Sequence, residues 1–105
     1  MKQIQNANEF EAEVLKNEKP VVVDFFTEWC SPCRALAPIL EEISNEREDI
    51  VMAKVDAGNL ADLAQKYGVM AFPTLMYFKG ENVASTLTGL RSKDALLKWI
   101  DEQGS

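Results

Sequence analysis

The sequence predicts an α/β fold in which a central mixed sheet of about five strands is flanked by about four helices. Short β-favouring runs alternate along the chain with segments of helical periodicity, and two late strands are joined by a short glycine-containing connection. The length of 105 residues and the 47% hydrophobic content fit one core. We therefore expect residues 1–105 to form a single domain.

The N-terminal half begins the alternation. The first Met directly precedes a candidate strand, and a helix begins near Asn6, whose side chain can cap it while Glu9 completes a capping box. The run Val21–Phe26 is continuously β-favouring, which is typical of a central strand covered on both faces. A second helix follows, and Pro38 should kink it because proline removes a backbone donor. Its apolar residues recur at helical spacing: Leu36, Ile39, Leu40 and Ile43.

The C-terminal half continues the pattern. Ile50–Val55 reads as a second buried strand, and the helix after it should end at Gly68. The order strand, helix, strand, helix, strand predicts a parallel core sheet. Thr74–Phe78 and Val83–Thr88 then read as a hairpin, and Ser92 can cap a last helix. The apolar positions of the helix before Gly68 are Leu60, Leu63, Ala64 and Tyr67.

Charge and composition exclude several classes of partner. The formal net charge of −6 offers no basic surface to a nucleic acid, and a charge of this size is also the ordinary solubility charge of a small domain. The N-terminal segment lacks the apolar core of a secretory signal, and no apolar run approaches the length of a membrane span. We expect a cytoplasmic protein with no nucleic-acid or membrane partner.

The two cysteines carry the chemistry. Cys30-Ser31-Pro32-Cys33 lies between the central strand and the second helix, so Cys30 should stand at the helix N-terminus. Unpaired N–H groups and the helix dipole stabilise a thiolate there, and the thiolate is the form that attacks disulfides. Cys33 lies one turn further on and can close a disulfide with Cys30. Pro32 is tolerated in the first turn and stiffens the loop.

Asp24 is the most informative residue outside this motif. An ionisable side chain within the run Val21–Phe26 is expensive to bury, and desolvation would raise its pKa. It then becomes a candidate base for Cys33. The alternative is an aspartate at the strand end that points to solvent.

Several motifs together resemble the thioredoxin family across essentially the whole chain. They are Val23–Arg34 with its two cysteines, Ala37-Pro38, Lys54-Val55-Asp56, Phe72-Pro73-Thr74 and Gly89. The resemblance implies the thioredoxin fold, with an N-terminal strand and helix added to a smaller core. It also implies general reduction of disulfide-containing proteins and re-reduction by a thioredoxin reductase. We expect a monomer without a bound cofactor, whose redox group is the Cys30–Cys33 disulfide.

The resemblance also implies roles for residues outside the motif. Lys54 matches a family lysine that tunes the buried aspartate, although a solvated lysine at the strand edge is an equally open interpretation. A cis Phe72-Pro73 bond would face the cysteines and leave the Phe72 backbone free to pair with substrate. A shallow apolar docking surface would then be bordered by Trp29, Phe72 and Gly89.

Two positions depart from the family pattern. Ser31 stands where the family usually has Gly, so the redox potential is expected to differ from that of typical members. Phe26 stands where Trp is common, and this exchange should preserve packing while removing a polar indole contact.

Three other functions compete with general disulfide reduction. Two cysteines at this spacing form half of a zinc site, but the chain has no His and no third Cys, so a complete site would need two chains. We therefore expect no metal. A non-enzymatic subunit that uses the fold as a scaffold is a second alternative. A dedicated oxidase, isomerase or reductase with one partner is the third.

Overall fold

The computed structural model describes residues 1–104, so Ser105, the last residue of the predicted domain, lies outside the described part. The strands are β1 (Lys2–Gln3), β2 (Val21–Phe26), β3 (Val51–Asp56), β4 (Thr74–Lys79) and β5 (Asn82–Thr88). The helices are α1 (Ala7–Phe10, continued by a π-helical segment, Glu11–Leu15), α2 (Ser31–Glu46), α3 (Ala61–Lys66) and α4 (Lys93–Gly104).

The strands form one mixed sheet in the order β1-β3-β2-β4-β5, which confirms the predicted fold class. β1 and β2 run parallel to β3, whereas β4 runs antiparallel to β2 and β5 antiparallel to β4. The prediction that the strands before and after α3 are parallel was wrong. A parallel β4 would begin at the end of the sheet where β3 begins. α3 has only six residues, a length of about 9 Å, and does not carry the chain back to that end.

Several predicted boundaries shift by a residue. Ile50 is buried but precedes β3, which extends instead through Asp56. β4 and β5 each gain one residue at the hairpin, so the turn contracts to Gly80-Glu81, with Gly80 at φ +60°. Leu60 is the N-cap of α3 rather than its first turn. Gly68 has φ +70° after that helix, which confirms its predicted capping position.

The helix caps agree with the sequence except in one detail. The Asn6 side chain accepts from the Glu9 N–H at 2.8 Å, and Ser92 Oγ accepts from the Ala95 N–H at 3.1 Å. The Glu9 carboxylate, however, accepts from the Gln5 N–H at 3.3 Å and not from Asn6. The reciprocal half of the capping box is therefore displaced by one residue. α2 runs through Pro38 as one helix, and the predicted kink stays a prediction.

The two faces of β2 pack into two different cores. Val21, Val23 and Phe25 belong to the cluster that includes Phe10 of α1, whereas Val22 belongs to the cluster under α2 and α4. Because side chains alternate along a strand, Asp24 lies on the same face as Val22. The strand thus directs its one carboxylate toward α2, the helix that carries the cysteines.

Candidate active site at the start of the second helix

The cysteine pair lies at the N-terminus of α2. Cys30 is the N-cap with extended backbone, and its sulfur accepts from the Cys33 N–H at 3.2 Å. The two cysteines form a disulfide with their Cα atoms 5.2 Å apart. Cys30 is half-buried and Cys33 is buried, so Cys30 is the more accessible of the two cysteines. Pro32 lies in the first helical turn, where its missing donor leaves no hydrogen bond unmade.

Arg34 fastens this turn to the loop before it. Its Nη1 donates to the carbonyl of Glu28 at 2.8 Å, and its Nη2 donates to Ser31 Oγ at 3.1 Å. The hydroxyl of Ser31 is therefore a hydrogen-bond partner that glycine could not supply. Arg34 is a residue of the site that was not predicted from the sequence, although its position directly after Cys33 indicates that it shares the helix terminus.

Asp24 is buried, as predicted from the run around it, with 3% of its surface exposed. Its Oδ1 has no hydrogen-bond partner among the described residues. Burial raises the pKa of Asp24 from 3.8 to about 7, while the nearby Lys54 charge acts to lower it. The alternative of an aspartate that points to solvent is wrong. A carboxyl group with this pKa carries a proton part of the time near neutral pH and can both accept and release one.

The buried carboxyl group and Cys33 line one cavity of about 260 Å³. Asp24, Cys33 and Lys54 all line it. Lys54 is half-buried and pairs with Asp24 in the register of β2 and β3, and its Nζ lies 5.8 Å from the centre of the Phe26 ring. Phe26 thus provides an aromatic face to this cation. The sequence comparison with the family predicted only that Phe26 lacks the polar indole contact of Trp, and not this interaction. The rest of the lining is Phe26, Thr27, Glu28, Arg34 and Ala37.

The proline loop lies at the same edge of the sheet. Thr74 pairs with Phe25 at the start of β4, which places Pro73 beside the end of β2. The Phe72-Pro73 bond is cis, as the family resemblance implied. Gly89 has φ +89° and donates its N–H to the Pro73 carbonyl at 2.9 Å. Pro73 and Gly89 are therefore in direct contact.

The aromatic residues expected to border a docking surface lie on two sides of the turn after β3. Trp29 is strongly exposed and lines a cavity with Asp56 and Gly58. Phe72 is half-buried and lines another cavity with Ala57. Because Asp56, Ala57 and Gly58 are consecutive, the two aromatic side chains flank one short segment of backbone.

Residues 1–104 contain no group of three or more His, Cys, Asp or Glu side chains arranged to hold a metal ion. Within the same residues, no helix is both long enough and apolar enough to cross a membrane.

A disulfide at the start of a helix, above a buried carboxyl group on a central strand, defines a thiol–disulfide oxidoreductase. The sequence model of the thioredoxin family matches residues 1–102. The chain belongs to the thioredoxin family.

Individual relatives agree with this membership. The chain is 46% identical over 93 residues to a thioredoxin of Rickettsia bellii, covering 88% of this chain and 89% of the relative. It is 48% identical over 89 residues to a thioredoxin of Streptomyces clavuligerus, covering 85% and 83%. The structure is similar to that of Plasmodium falciparum thioredoxin, with a TM-score of 0.90, 33% identity and coverage of 97% and 98%.

Proposed function

We propose that this oxidoreductase works as a general reductant of protein disulfides, with Cys30 as the attacking thiol, Cys33 as the resolving thiol and Asp24 as the base for Cys33. The observation that carries the proposal is the unequal environment of the two sulfurs. Cys30 is half-buried at the helix cap, whereas Cys33 is buried beside the cavity that contains Asp24. Each sulfur is thus suited to a different step.

In the first step the Cys30 thiolate attacks one sulfur of a substrate disulfide. A new bond forms between Cys30 and that sulfur, the substrate S–S bond breaks, and the other substrate sulfur leaves as a thiolate. The Cys33 N–H, which donates to the Cys30 sulfur, and the positive end of the α2 dipole stabilise the Cys30 thiolate before the attack.

In the second step Cys33 attacks the sulfur of Cys30 in the mixed disulfide. Asp24 takes the Cys33 proton, directly or through water in the shared cavity, since both residues line it. The bond between Cys30 and the substrate breaks, the second substrate thiolate leaves, and the Cys30–Cys33 disulfide forms. The substrate gains two electrons, and the protein reaches the disulfide state of this structure.

Substrate docking is assigned to the surface bordered by Trp29, Phe72, Pro73 and Gly89. Trp29 is exposed, so its indole ring can cover an apolar segment of the substrate. Phe72 precedes β4, so its backbone does not belong to the sheet ladder and is available to an extended segment of substrate.

The cycle closes when a thioredoxin reductase reduces the Cys30–Cys33 disulfide. We propose that the chain acts in the cytoplasm as a monomeric single domain and needs no bound cofactor or metal of its own. Membership of the thioredoxin family supports the reductase as electron donor, and the reducing character of the cytoplasm supports the direction of transfer.

The proposal is tested by coupling NADPH oxidation to the reduction of insulin, with and without a thioredoxin reductase. NADPH should be consumed only when both proteins are present. Cys33→Ser should accumulate a mixed disulfide with the substrate, whereas Cys30→Ser should be inactive without trapping. Preferential alkylation of Cys33 over Cys30 in the reduced protein at mildly acidic pH would contradict the assignment of the two thiols.

A further inference from the structure

Met70 is the one exposed methionine among the four in the chain. It is 92% exposed, whereas Met52 and Met76 are buried within the core at 3% and 5%. The Met1 side chain is 1% exposed and packs against the core under α2. An oxidant in solution therefore reaches one thioether and is kept from the other three.

Met70 also lies beside the docking surface. It lines a cavity of about 410 Å³ together with Phe72, the residue that precedes the cis proline. The other side chains around this cavity are small or apolar with one exception: Ala57, Ala61, Ala64 and Val69 are apolar, and Gln65 is the polar member. Because Met70 is strongly exposed, its thioether lies at the rim of this uncharged cavity, whose lining includes Phe72, the residue directly before the cis proline.

We propose that Met70 is a site of reversible oxidation by hydrogen peroxide, and that its sulfoxide weakens the docking of protein substrates while leaving the dithiol chemistry intact. This inference rests on the proposed function, since it assumes that Phe72 and its surroundings receive the substrate.

The oxidation is a two-electron step. A lone pair on the Met70 sulfur attacks one oxygen of the peroxide, an S–O bond forms, the O–O bond breaks, and water leaves after proton transfer. The sulfur is oxidised and the peroxide is reduced. A methionine sulfoxide reductase reverses the product, so the change is not terminal damage.

The sulfoxide acts on docking through polarity. A thioether is flexible and apolar and adapts to irregular apolar partners, whereas a sulfoxide is polar and must be desolvated when a partner covers it. Oxidation should therefore raise the KM for a protein substrate, roughly threefold or more, with little change in kcat. A small soluble disulfide, which does not cover this rim, should react with unchanged kinetics.

The experiment treats the disulfide form with hydrogen peroxide, so that the cysteines are already protected, and removes the excess with catalase. Peptide mass spectrometry should find sulfoxide at Met70 well before Met52 or Met76. The treated and untreated proteins are then compared in insulin reduction and in reduction of a small aromatic disulfide. Repair with a methionine sulfoxide reductase should restore the original KM.

Two variants separate the sulfoxide from other effects of peroxide. Met70→Leu has no sulfur at this position, so its KM should not change on treatment. Met70→Gln places a polar group there without oxidant and should raise the KM for insulin. Oxidation of the buried methionines as fast as Met70, or an unchanged KM after complete oxidation of Met70, would overturn the inference. Failure of the untreated protein to reduce insulin would instead overturn the proposed function.

Discussion

Asp24 and Lys54 are paired across the register of β2 and β3, and both side chains line the cavity that reaches Cys33. Burial raises the pKa of Asp24 to about 7, and the ammonium group of Lys54 opposes that rise. Burial and the Lys54 charge together hold the pKa of the Asp24 carboxyl group near neutral pH. A carboxyl group held there can accept the Cys33 proton during reduction and return it in the reverse reaction.

The first prediction concerns the charge of Lys54. Lys54→Met removes the cation that lowers the pKa of Asp24, so the pKa of Asp24 should rise from its value of about 7. Less Asp24 is then ionised at neutral pH, and resolution of the mixed disulfide should slow there. The acid limb of the turnover profile should move to higher pH, as measured from about pH 5 to pH 9.

Two controls accompany this variant. Lys54→Arg keeps a positive charge and an aromatic partner in Phe26, so its profile should stay close to that of the wild type. Lys66→Met removes a lysine that packs near Tyr67, outside the Asp24 cavity, and should not shift the profile. Coincident profiles for Lys54→Met and the wild type would remove Lys54 from the control of Asp24.

The second prediction is that Asp24→Asn stabilises the protein near pH 8. The folded pKa of Asp24 is raised above its unfolded value, so the group costs stability increasingly as pH rises from about 4 through 7, and the cost is complete above 7. A pKa raised from 3.8 to about 7 corresponds to at most about 4 kcal/mol. A buried amide keeps a desolvation cost of its own, so we expect a gain of about 1–3 kcal/mol.

Urea unfolding at several pH values measures this gain. The difference in the free energy of unfolding between the Asn variant and the wild type should be largest near pH 8. It should shrink as pH falls below 3.8, the unfolded value, where Asp24 becomes mostly protonated in both states. The same substitution should slow resolution of the mixed disulfide more than it slows the initial attack by Cys30. A less stable variant at pH 8 with wild-type turnover would exclude Asp24 as a base.

The part of the site that the sequence predicted depends on local features. The position of Cys30 at a helix start follows from the end of one apolar run and the onset of helical spacing at Leu36, and the burial of Asp24 follows from the run around it. Both are set by residues close in the chain. The residues that they meet in space could not be predicted in this way, because the cavity shared by Asp24, Cys33 and Lys54 depends on the register of two strands.

The features that the sequence did not predict depend on the path of the connections between elements and on side-chain orientation. The direction of β4 depends on α3 being too short to cross the sheet, which helical periodicity alone does not reveal. The contact between Arg34 and Ser31 depends on the orientation of a long side chain on the protein surface. The exposure of Met70 depends on where the loop after α3 lies, since of its two sequence neighbours Val69 is half-buried and Ala71 is exposed.

The third prediction concerns the Ser31 hydroxyl. In the disulfide form it accepts a hydrogen bond from Arg34, so Ser31→Gly should move the reduction potential measurably while the fold is preserved. Titration in glutathione buffers measures the potential. Ser31→Ala keeps a side chain but removes the hydroxyl, and it separates the hydrogen bond from loop flexibility. Indistinguishable potentials for all three proteins would make Ser31 a neutral replacement for glycine.

The last prediction assigns an electrostatic effect to Arg34. Its guanidinium group is held by the Glu28 carbonyl and by Ser31 Oγ, beside the helix terminus where the Cys30 thiolate forms. Arg34→Gln removes this fixed positive charge, so a smaller fraction of Cys30 should be thiolate at neutral pH. Because Arg34 is exposed, solvent and salt weaken the effect, and we expect the alkylation rate near pH 7 to fall by about twofold.

The salt dependence distinguishes this charge effect from a loss of structure. The twofold difference between Arg34→Gln and the wild type should shrink toward unity near 1 M salt, because the Debye length is then about 3 Å. Lys98→Gln removes an exposed positive charge from α4 instead and serves as the matched control, with no expected change in the rate. A deficit in the Arg34 variant that persists undiminished at high salt would mean that Arg34 acts on Cys30 through the geometry of the loop and not through its charge.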